Sequence, residues 1–275
     1  DVCNTLRKKL YGGSRCAEIS EIMYLKGEMK RYNMLYKDAK TLHEQSLAQK
    51  RIVLADQHPL VANSLVAIGL LNVDMGHLQE ADRRFTDAFE MRKSIYGEEN
   101  YYTSLVMIQQ GLSTRLLGKY TQSITTLNDA INLQEKLKLM NECSDLQIAE
   151  SKYMLGMTYK ELLKLDDSRK NLTTALSSFK SIYLSDDKNI KDKDATHHIK
   201  AHPAIALVVL ALADNARLIG RLEDSEKLLF KSMSMFKECA SVGDQHVLWC
   251  HTLQLRSDLL IWQGEKSDVE KALEV

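Results

Sequence analysis

The polar segment formed by residues 185–200 holds the side chains whose types could most readily do chemistry. It carries histidines and acidic pairs, with one more histidine just after it: His197, His198, His202, Asp186-Asp187 and Asp192-Asp194. Imidazoles suit zinc, and carboxylates suit calcium. The first two histidines are adjacent rather than one helical turn apart, and the acidic pairs lack the glycine and terminal glutamate of a calcium loop. We therefore expect a solvated linker and no metal site.

Motifs for catalysis or cofactor binding do not occur in the sequence. It has no G-x-x-x-x-G-K-[ST] loop, no G-x-G-x-x-G after a strand, no H-E-x-x-H and no G-x-S-x-G. Most of its many carboxylates fall on the outward faces of predicted helices or in turns, where solvation explains them. The sequence therefore predicts a protein that is not an enzyme and binds no cofactor.

The predicted helices are clearest between His58 and Gly97, where two amphipathic segments flank a short turn. The segments span residues 61–74 and 78–96, and Met75-Gly76-His77 joins them. Apolar side chains recur at helical spacing in both. The small residues Gly69, Ala81 and Ala88 indicate that the two helices approach each other closely. Phe85 is predicted to fill the space between them. One such hairpin cannot bury its own apolar face, so neighbouring copies are expected.

Copies of this hairpin follow at intervals of 42 residues. Gly27, Gly69 and Gly111 keep that interval, as do the turn glycines Gly76 and Gly118. The pattern restarts at Gly156 and Gly220 after short insertions. Only two prolines occur, Pro59 and Pro203, and each follows a histidine at a predicted helix start. The sequence predicts an all-α repeat protein.

The patterns L-x-x-[LI]-G and A-x-x-x-F-x-x-A resemble those of the tetratricopeptide repeat family. The repeat length exceeds the usual value of about 34 residues, and together with the His-Pro openings it resembles the kinesin light chain form of the repeat. The resemblance implies a tetratricopeptide-type α-solenoid, a right-handed superhelix of stacked antiparallel helix pairs. It also implies a role in protein interaction, as an adaptor or scaffold for cargo or cytoskeletal assemblies.

The predicted organisation has four parts. Residues 1–19 are expected to be the remnant of a preceding repeat, because residues 7–12 resemble residues 92–97. Residues 20–184 form four hairpins, and residues 185–202 form a polar insertion loop. Residues 203–275 hold two further hairpins, the last of them truncated, with Gly264 at its turn. Both ends lack a polar cap, which favours a longer parent array.

Charge and cysteine usage narrow the partners and the compartment. Acidic and basic residues number 37 each, which predicts no nucleic-acid partner, and no apolar run predicts a membrane span. The five cysteines are odd in number and show no C-x-x-C spacing, which favours a reducing compartment and buried thiols. The expected location is the cytoplasm, with cytoskeletal association as a further expectation from the resemblance.

The expected binding surface is the groove lined by the first helices of the hairpins. One helix position gives an apolar to aromatic row, and a position seven residues later gives a basic row. The groove residues are Tyr24, Val66, Ile108, Tyr153 and Leu210 in the first row, Arg31, Arg115, Lys160 and Arg217 in the second, and Asn63 beside them. The rows predict a protein or peptide partner with apolar anchors and acidic groups. The carboxylate clamp of chaperone-binding tetratricopeptide domains is absent.

The apolar row also fits core packing, and basic residues near helix ends also fit the helix dipole. Two other hypotheses therefore stand beside the adaptor. The chain is a structural subunit of a multi-protein complex, packed through its convex face and ends, or a regulatory domain that gates an attached one. An exposed patch of Met233, Met235 and Phe236 would favour the structural subunit.

Overall fold

The computed structural model describes residues 17–184, 202–239 and 247–263, and these ranges form eleven α-helices without a strand. The expectations for residues 1–16, for the segment 185–201 and for Gly264 onward lie outside the described residues. In chain order the helices are α1 (Ala17–Tyr32), α2 (Tyr36–Leu54), α3 (Pro59–Asp74), α4 (Leu78–Tyr96), α5 (Tyr101–Leu116), α6 (Tyr120–Leu139), α7 (Asp145–Glu161), α8 (Leu165–Leu184), α9 (Pro203–Leu218), α10 (Leu222–Glu238) and α11 (Val247–Gln263).

The helices pair into five hairpins, α1–α2 through α9–α10, and α11 follows them. The chain divides into two compact units, residues 1–142 with α1 to α6 and residues 143–275 with α7 to α11. In the first unit α3 contacts both α1 and α5, and in the second α9 contacts both α7 and α11. Three of the four hairpins predicted for residues 20–184 therefore lie in the first unit, and the fourth lies in the second.

Each of the first four hairpins closes on a contact between a glycine of its first helix and a large residue of its second. A Cβ added to Gly69 would lie 2.5 Å from Cε1 of Phe85, and one added to Gly111 would lie 2.5 Å from Cδ2 of Leu127. Phe85 is 0% exposed, and Ala81 and Ala88 beside it are also fully buried. The predicted close approach of the two helices is confirmed. Leu172 fills the equivalent place against Gly156.

The tight turns between paired helices place one residue in the left-handed conformation. Gly76 and Gly118 have φ of 76°, and Gly220 has φ of 87°, as glycine allows without strain. The first and fourth hairpins use Met34 and Leu163 at this point, with φ of 58° and 56°. The turn backbone closes in the same way in each hairpin, for example through the amide of His77 donating to the carbonyl of Asn72 at 2.8 Å. The turn therefore persists where the glycine signal is missing.

The His-Pro pairs begin helices through a side-chain cap. Nδ1 of His58 accepts a hydrogen bond from the amide of Leu60 at 3.1 Å, and Nδ1 of His202 accepts one from the amide of Ala204 at 3.2 Å. The proline that follows has no amide to leave unpaired at the first helical position. Asn100 caps α5 in the same way, with its side-chain oxygen 2.9 Å from the amide of Tyr102. These caps fix where the first helices start.

The cap at His202 should make α9 sensitive to mild acid. Burial lowers the pKa of His202 below its ordinary value of 6.5, and its ring stacks on Tyr183. A lowered folded-state pKa means that the stabilisation is complete above pH 6.5 and is lost as the pH falls through the folded value. We expect acidification from pH 7 to pH 5 to cost the wild type about 1 kcal/mol more than a His202→Asn variant, because asparagine caps without titrating. Thermal unfolding at both pH values measures the difference, and equal losses would contradict the role of the cap.

The three apolar side chains of α10 that could have formed an exposed patch lie in the core of the second unit. Met233, Met235 and Phe236 pack into its buried cluster, so they form no exposed patch. Cys143 and Cys239 are buried and form no disulfide bond, as expected. The side chains of the other three cysteines lie outside the described residues. Met233, Met235 and Phe236 therefore offer no support for the structural-subunit hypothesis.

Candidate partner-binding cleft

A cleft of about 310 Å³ lies between the first helices of the second unit, α7, α9 and α11. Its lining residues are Tyr153, Met157, Lys160, Leu207, Leu210, Ala211, Asp214, Arg217, His251, Gln254, Leu255 and Asp258. Four of the predicted groove residues meet in it: Tyr153, Lys160, Leu210 and Arg217. The two predicted rows thus converge on one cleft in this unit.

The charged part of the cleft is organised around Asp214. Its Oδ2 lies 2.6 Å from Nζ of Lys160 on α7, and its Oδ1 lies 2.7 Å from Nη2 of Arg217 on its own helix. The two cationic side chains are 14% exposed, and the carboxylate is 20% exposed. Burial alone would raise the pKa of Asp214, but the charges and hydrogen bonds of Lys160 and Arg217 hold it below its ordinary value. Two cations against one carboxylate leave a net positive charge at this point.

The apolar part of the cleft is shared with the core. Tyr153, Met157 and Leu207 are half-buried and pack against the buried cluster of the second unit, while Leu210 is only 8% exposed. Leu210 therefore acts mainly as a core residue, whereas Tyr153 and Met157 present surface to the cleft. Because α11 adds the exposed side chains of His251 and Gln254, one wall remains open to solvent. The cleft can accept an apolar side chain beside a charged group.

The groove residues of the first unit are engaged by neighbouring side chains. Arg31 forms ion pairs with Glu28 at 3.1 Å and with Asp74 of the next hairpin at 2.8 Å. Oδ1 of Asn63 accepts a hydrogen bond from Nη2 of Arg92 at 2.8 Å. Two carboxylates therefore face one cation at Arg31, so the local charge is opposite in sign to that around Asp214.

The other predicted groove residues of the first unit lie closer to the core. Val66 is half-buried and packs against a buried apolar cluster, and Ile108 is 8% exposed. Arg115 is half-buried on α5. Tyr24 contacts side chains of α2, with its ring 5.6 Å from that of His43 and 4.5 Å from Nζ of Lys50. The apolar row thus contributes to packing as well as to the groove.

Sequence reasoning missed a set of buried polar side chains on the second helices of the first unit. Lys50, Arg92 and Gln134 lie at 42-residue intervals on the second helices, and all three are buried. Nζ of Lys50 lies 2.9 Å from Glu21 and 3.1 Å from Oγ of Ser64 on the next hairpin. Arg92 donates to the carbonyl oxygen of Tyr102 on the next hairpin at 2.6 Å. The 42-residue interval would have found these positions, although it does not reveal their partners.

His43 is a second residue that the sequence analysis missed. It occupies the place of Phe85 and Leu127 in the first hairpin, opposite Gly27, and is fully buried. Its Nε2 lies 3.2 Å from Oε1 of Glu28. Burial raises the pKa of Glu28, but the hydrogen bond from His43 and the charge of Arg31 outweigh it and lower the pKa. The first hairpin therefore closes on a polar contact where the next two close on an apolar one.

The described residues bring together no group of three side chains that could ligate a metal. None of their helices is both long and apolar enough to cross a bilayer.

Comparison with known proteins identifies the repeat. Residues 18–94, which include most of the first two hairpins, match the model of the tetratricopeptide repeat family. No curated protein matches the sequence.

Solved structures share the fold at low sequence identity. A Rap protein complexed with competence and sporulation factor has a TM-score of 0.70 and 10% identity over 93% of this chain, which spans only 63% of that one. A putative kinesin light chain from Podosopora anserina with nearly identical TPR-like repeats has a TM-score of 0.59 and 14% identity, covering 80% of this chain and 96% of that one. BtubC (BKLC) from P. vanneervenii has a TM-score of 0.60 and 13% identity over 80% of both chains. The predicted fold class, an all-α tetratricopeptide-type solenoid, and the predicted resemblance to tetratricopeptide repeat proteins are both confirmed: residues 18–94 match the model of that family, and the fold is shared by kinesin light chain-like structures.

Proposed function

We propose that the chain is a non-catalytic interaction module that binds a peptide or helix of a partner protein in the cleft between α7, α9 and α11. Tetratricopeptide repeats are typical of protein interaction and scaffolding, which supports the general class. The observation that carries the proposal is the juxtaposition in one cleft of an apolar surface at Tyr153 and Met157 and a charged cluster around Asp214. Such a cleft suits an extended or helical segment with an apolar anchor.

The charge balance around Asp214 determines the chemistry of the partner. Lys160 and Arg217 together exceed the carboxylate by one charge, so an acidic group of the partner would be attracted to them. Arg217 uses Nε and Nη2 to contact Asp214. The carboxylate of Asp258 lies on the α11 wall and limits how acidic the partner can be. An apolar side chain beside a single acidic residue fits this site.

The finer features of the adaptor hypothesis are part of the same proposal. A role with cargo or cytoskeletal assemblies, and a cytoplasmic location, rest on the likeness to kinesin light chain structures and on the cysteine pattern. The Rap protein complexed with its factor offers a parallel for a partner held by this fold. In the first unit the surroundings of Arg31 are acidic on balance, so we assign acidic-partner binding to the second unit. The hypothesis of a regulatory domain remains a prediction of the sequence.

A second candidate function, packing within a larger assembly, is favoured by one face of α1. Leu25 is 55% exposed and Met29 is 66% exposed, whereas Ala67 and Leu71 at the same positions of α3 are 2% and 1% exposed. Tyr32 extends this apolar face and is 77% exposed. Another helix placed against α1 would bury the face as the preceding hairpin buries that of α3. This candidate predicts that variants of α1, and not of α11, weaken association.

A cleft-blocking variant tests the proposed function. Gln254 is exposed on the α11 wall, so we expect Gln254→Trp to fill the cleft without disturbing the core. Short peptides selected from a random library on the whole chain provide the probes, and fluorescence anisotropy measures their affinity. We expect the selected peptides to carry an apolar residue beside an acidic one, and the variant to bind them about tenfold more weakly or worse. Binding should also weaken as salt is raised.

The matched control is Glu226→Trp, an equally large change at an exposed position of α10 outside the cleft. This control should bind the selected peptides as the wild type does. If both tryptophan variants bind equally well, the peptides do not occupy the cleft and the proposal is wrong. If affinity falls in the α1 variant Met29→Glu but not in Gln254→Trp, the assembly function is favoured instead.

A further inference from the structure

A second cleft, of about 420 Å³, lies on another side of α9, between α8 and α10. Its lining residues are Arg169, Thr173, Leu212, Asn215, Ala216, Ile219, Arg221, Asp224, Lys227 and Leu228. None of them lines the partner-binding cleft. Leu210, Asp214 and Arg217 lie on the face of α9 that borders the partner-binding cleft, whereas Leu212, Asn215 and Ala216 lie on the face that borders the second cleft. We call it the α8–α10 cleft.

The α8–α10 cleft is positively charged by side chains that are free to bind. Arg169, Arg221 and Lys227 are exposed, and none of them forms an ion pair with another described residue. Asp224 is the one carboxylate in the lining, so the cleft carries a net positive charge. This differs from the partner-binding cleft, where Asp214 already pairs with both cations. Unpaired cations around a concavity raise the local concentration of anions.

The floor of the α8–α10 cleft is apolar, with one polar group. Ile219 is 39% exposed, and Leu212, Ala216 and Leu228 lie beside it half-buried. Asn215 is 1% exposed and donates through Nδ2 to the carbonyl of Leu165 at 3.2 Å. Its Oδ1 has no donor among the described protein groups. A buried acceptor without a donor is costly, so this atom favours a ligand that brings an N–H or O–H group to the floor.

From this combination we propose that the α8–α10 cleft binds a small organic anion. The phosphate or carboxylate of the ligand faces Arg169, Arg221 and Lys227, and arginine suits both groups because its donors can bind two oxygens at once. The apolar body of the ligand packs on Leu212, Ile219 and Leu228. The volume of the cleft lies in the range of small-molecule sites, which is about 300–1,000 Å³. The site is independent of the proposed peptide-binding function.

Isothermal titration with four probes tests this inference on the whole chain. 4-Hydroxyphenyl phosphate and 4-hydroxybenzoate each combine an anionic group with an apolar ring and a hydroxyl donor, whereas inorganic phosphate lacks the ring and phenol lacks the charge. We expect at least one of the first two to bind at least about tenfold more tightly than both inorganic phosphate and phenol. Tighter binding of 4-hydroxyphenyl phosphate assigns a phosphate ligand, and tighter binding of 4-hydroxybenzoate assigns a carboxylate. Equal affinity for all four probes would overturn the proposal.

Three variants locate the binding. Thr173→Trp fills the cleft from an exposed position of α8, and Arg221→Gln removes one of its cations. Each should reduce affinity for the better probe by about tenfold or more, while Ser181→Trp, exposed on the same helix and outside the cleft, should not. Retention of full affinity by Thr173→Trp would place the ligand elsewhere and refute the site. The cleft-blocking variant Gln254→Trp should bind the probe normally, which separates this test from that of the proposed function.

Discussion

Replacing Phe85 by alanine is expected to lower the free energy of unfolding by about 3–5 kcal/mol. Phe85 is fully buried, its ring lies against Gly69, and it belongs to the apolar cluster that joins the second hairpin to its neighbours. Alanine would leave a cavity that two rigid helices cannot close. Urea denaturation followed by circular dichroism measures the change. Asp87→Ala, an exposed position on the same helix, should shift the value by no more than about 0.5 kcal/mol.

The contact between Gly69 and Phe85 should also appear as strong coupling. Gly69→Ala alone is destabilising, because its Cβ would lie 2.5 Å from the Phe85 ring. With alanine at position 85 the same methyl group enters the cavity instead. The double variant should therefore lose at least about 1 kcal/mol less than the sum of the two single variants. Additive losses would show that the ring and the glycine do not determine the spacing of the helices.

Asp214→Asn is expected to destabilise the second unit by about 2 kcal/mol at pH 7. The amide cannot neutralise Lys160 and Arg217, which would then face each other with most of their surface buried. Both tryptophans of the chain lie in α11, so their fluorescence during urea denaturation reports on this unit. Asp224→Asn removes an exposed carboxylate without an ion pair, and it should have almost no effect on stability.

The pH dependence of this difference has a definite sign. The pKa of Asp214 is lowered in the folded state, so its stabilisation is complete above its ordinary value of 3.8 and is lost as the pH falls through the folded value. Wild type and Asp214→Asn should therefore differ fully at neutral pH and converge as the pH falls below the ordinary value of 3.8. A difference that stayed constant over this range would show that the carboxylate does not stabilise the cluster through its charge.

The fold could be predicted from the sequence because each repeat pairs a small residue with a large one at the point where its two helices touch. Gly69 and Phe85 must face each other if the two helices are to approach, and a 42-residue interval repeats that requirement at Gly111 and Leu127. His43 could not be foreseen as a core residue from composition, since an isolated histidine is usually exposed. Its burial depends on Glu28, a partner on the other helix of the hairpin that only the three-dimensional arrangement reveals.

The candidate site was only partly predictable. Counting helix positions assigned Tyr153, Lys160, Leu210 and Arg217 to one groove, and these four residues line one cleft in the structure. It could not show that Asp214 pairs with both cations, because the ion pair with Lys160 spans two hairpins. Counting positions on the first helices could not predict the α8–α10 cleft. Its cations lie on the second helices α8 and α10 and in the turn at Arg221. Clefts of that kind arise from how hairpins stack, which periodicity within one helix does not describe.

The buried cations of the second helices have a consequence for how this array could evolve. Lys50 contacts the hydroxyl of Ser64, and Arg92 donates to the carbonyl of Tyr102, each on the hairpin that follows. An exchange of hairpins, or the loss of one, would remove one acceptor from each enclosed cation and leave only its partner on the same hairpin, Glu21 or Asn63, at a cost of about 1–3 kcal/mol. The hairpins of the first unit are therefore matched to their neighbours, and their order along the chain affects stability.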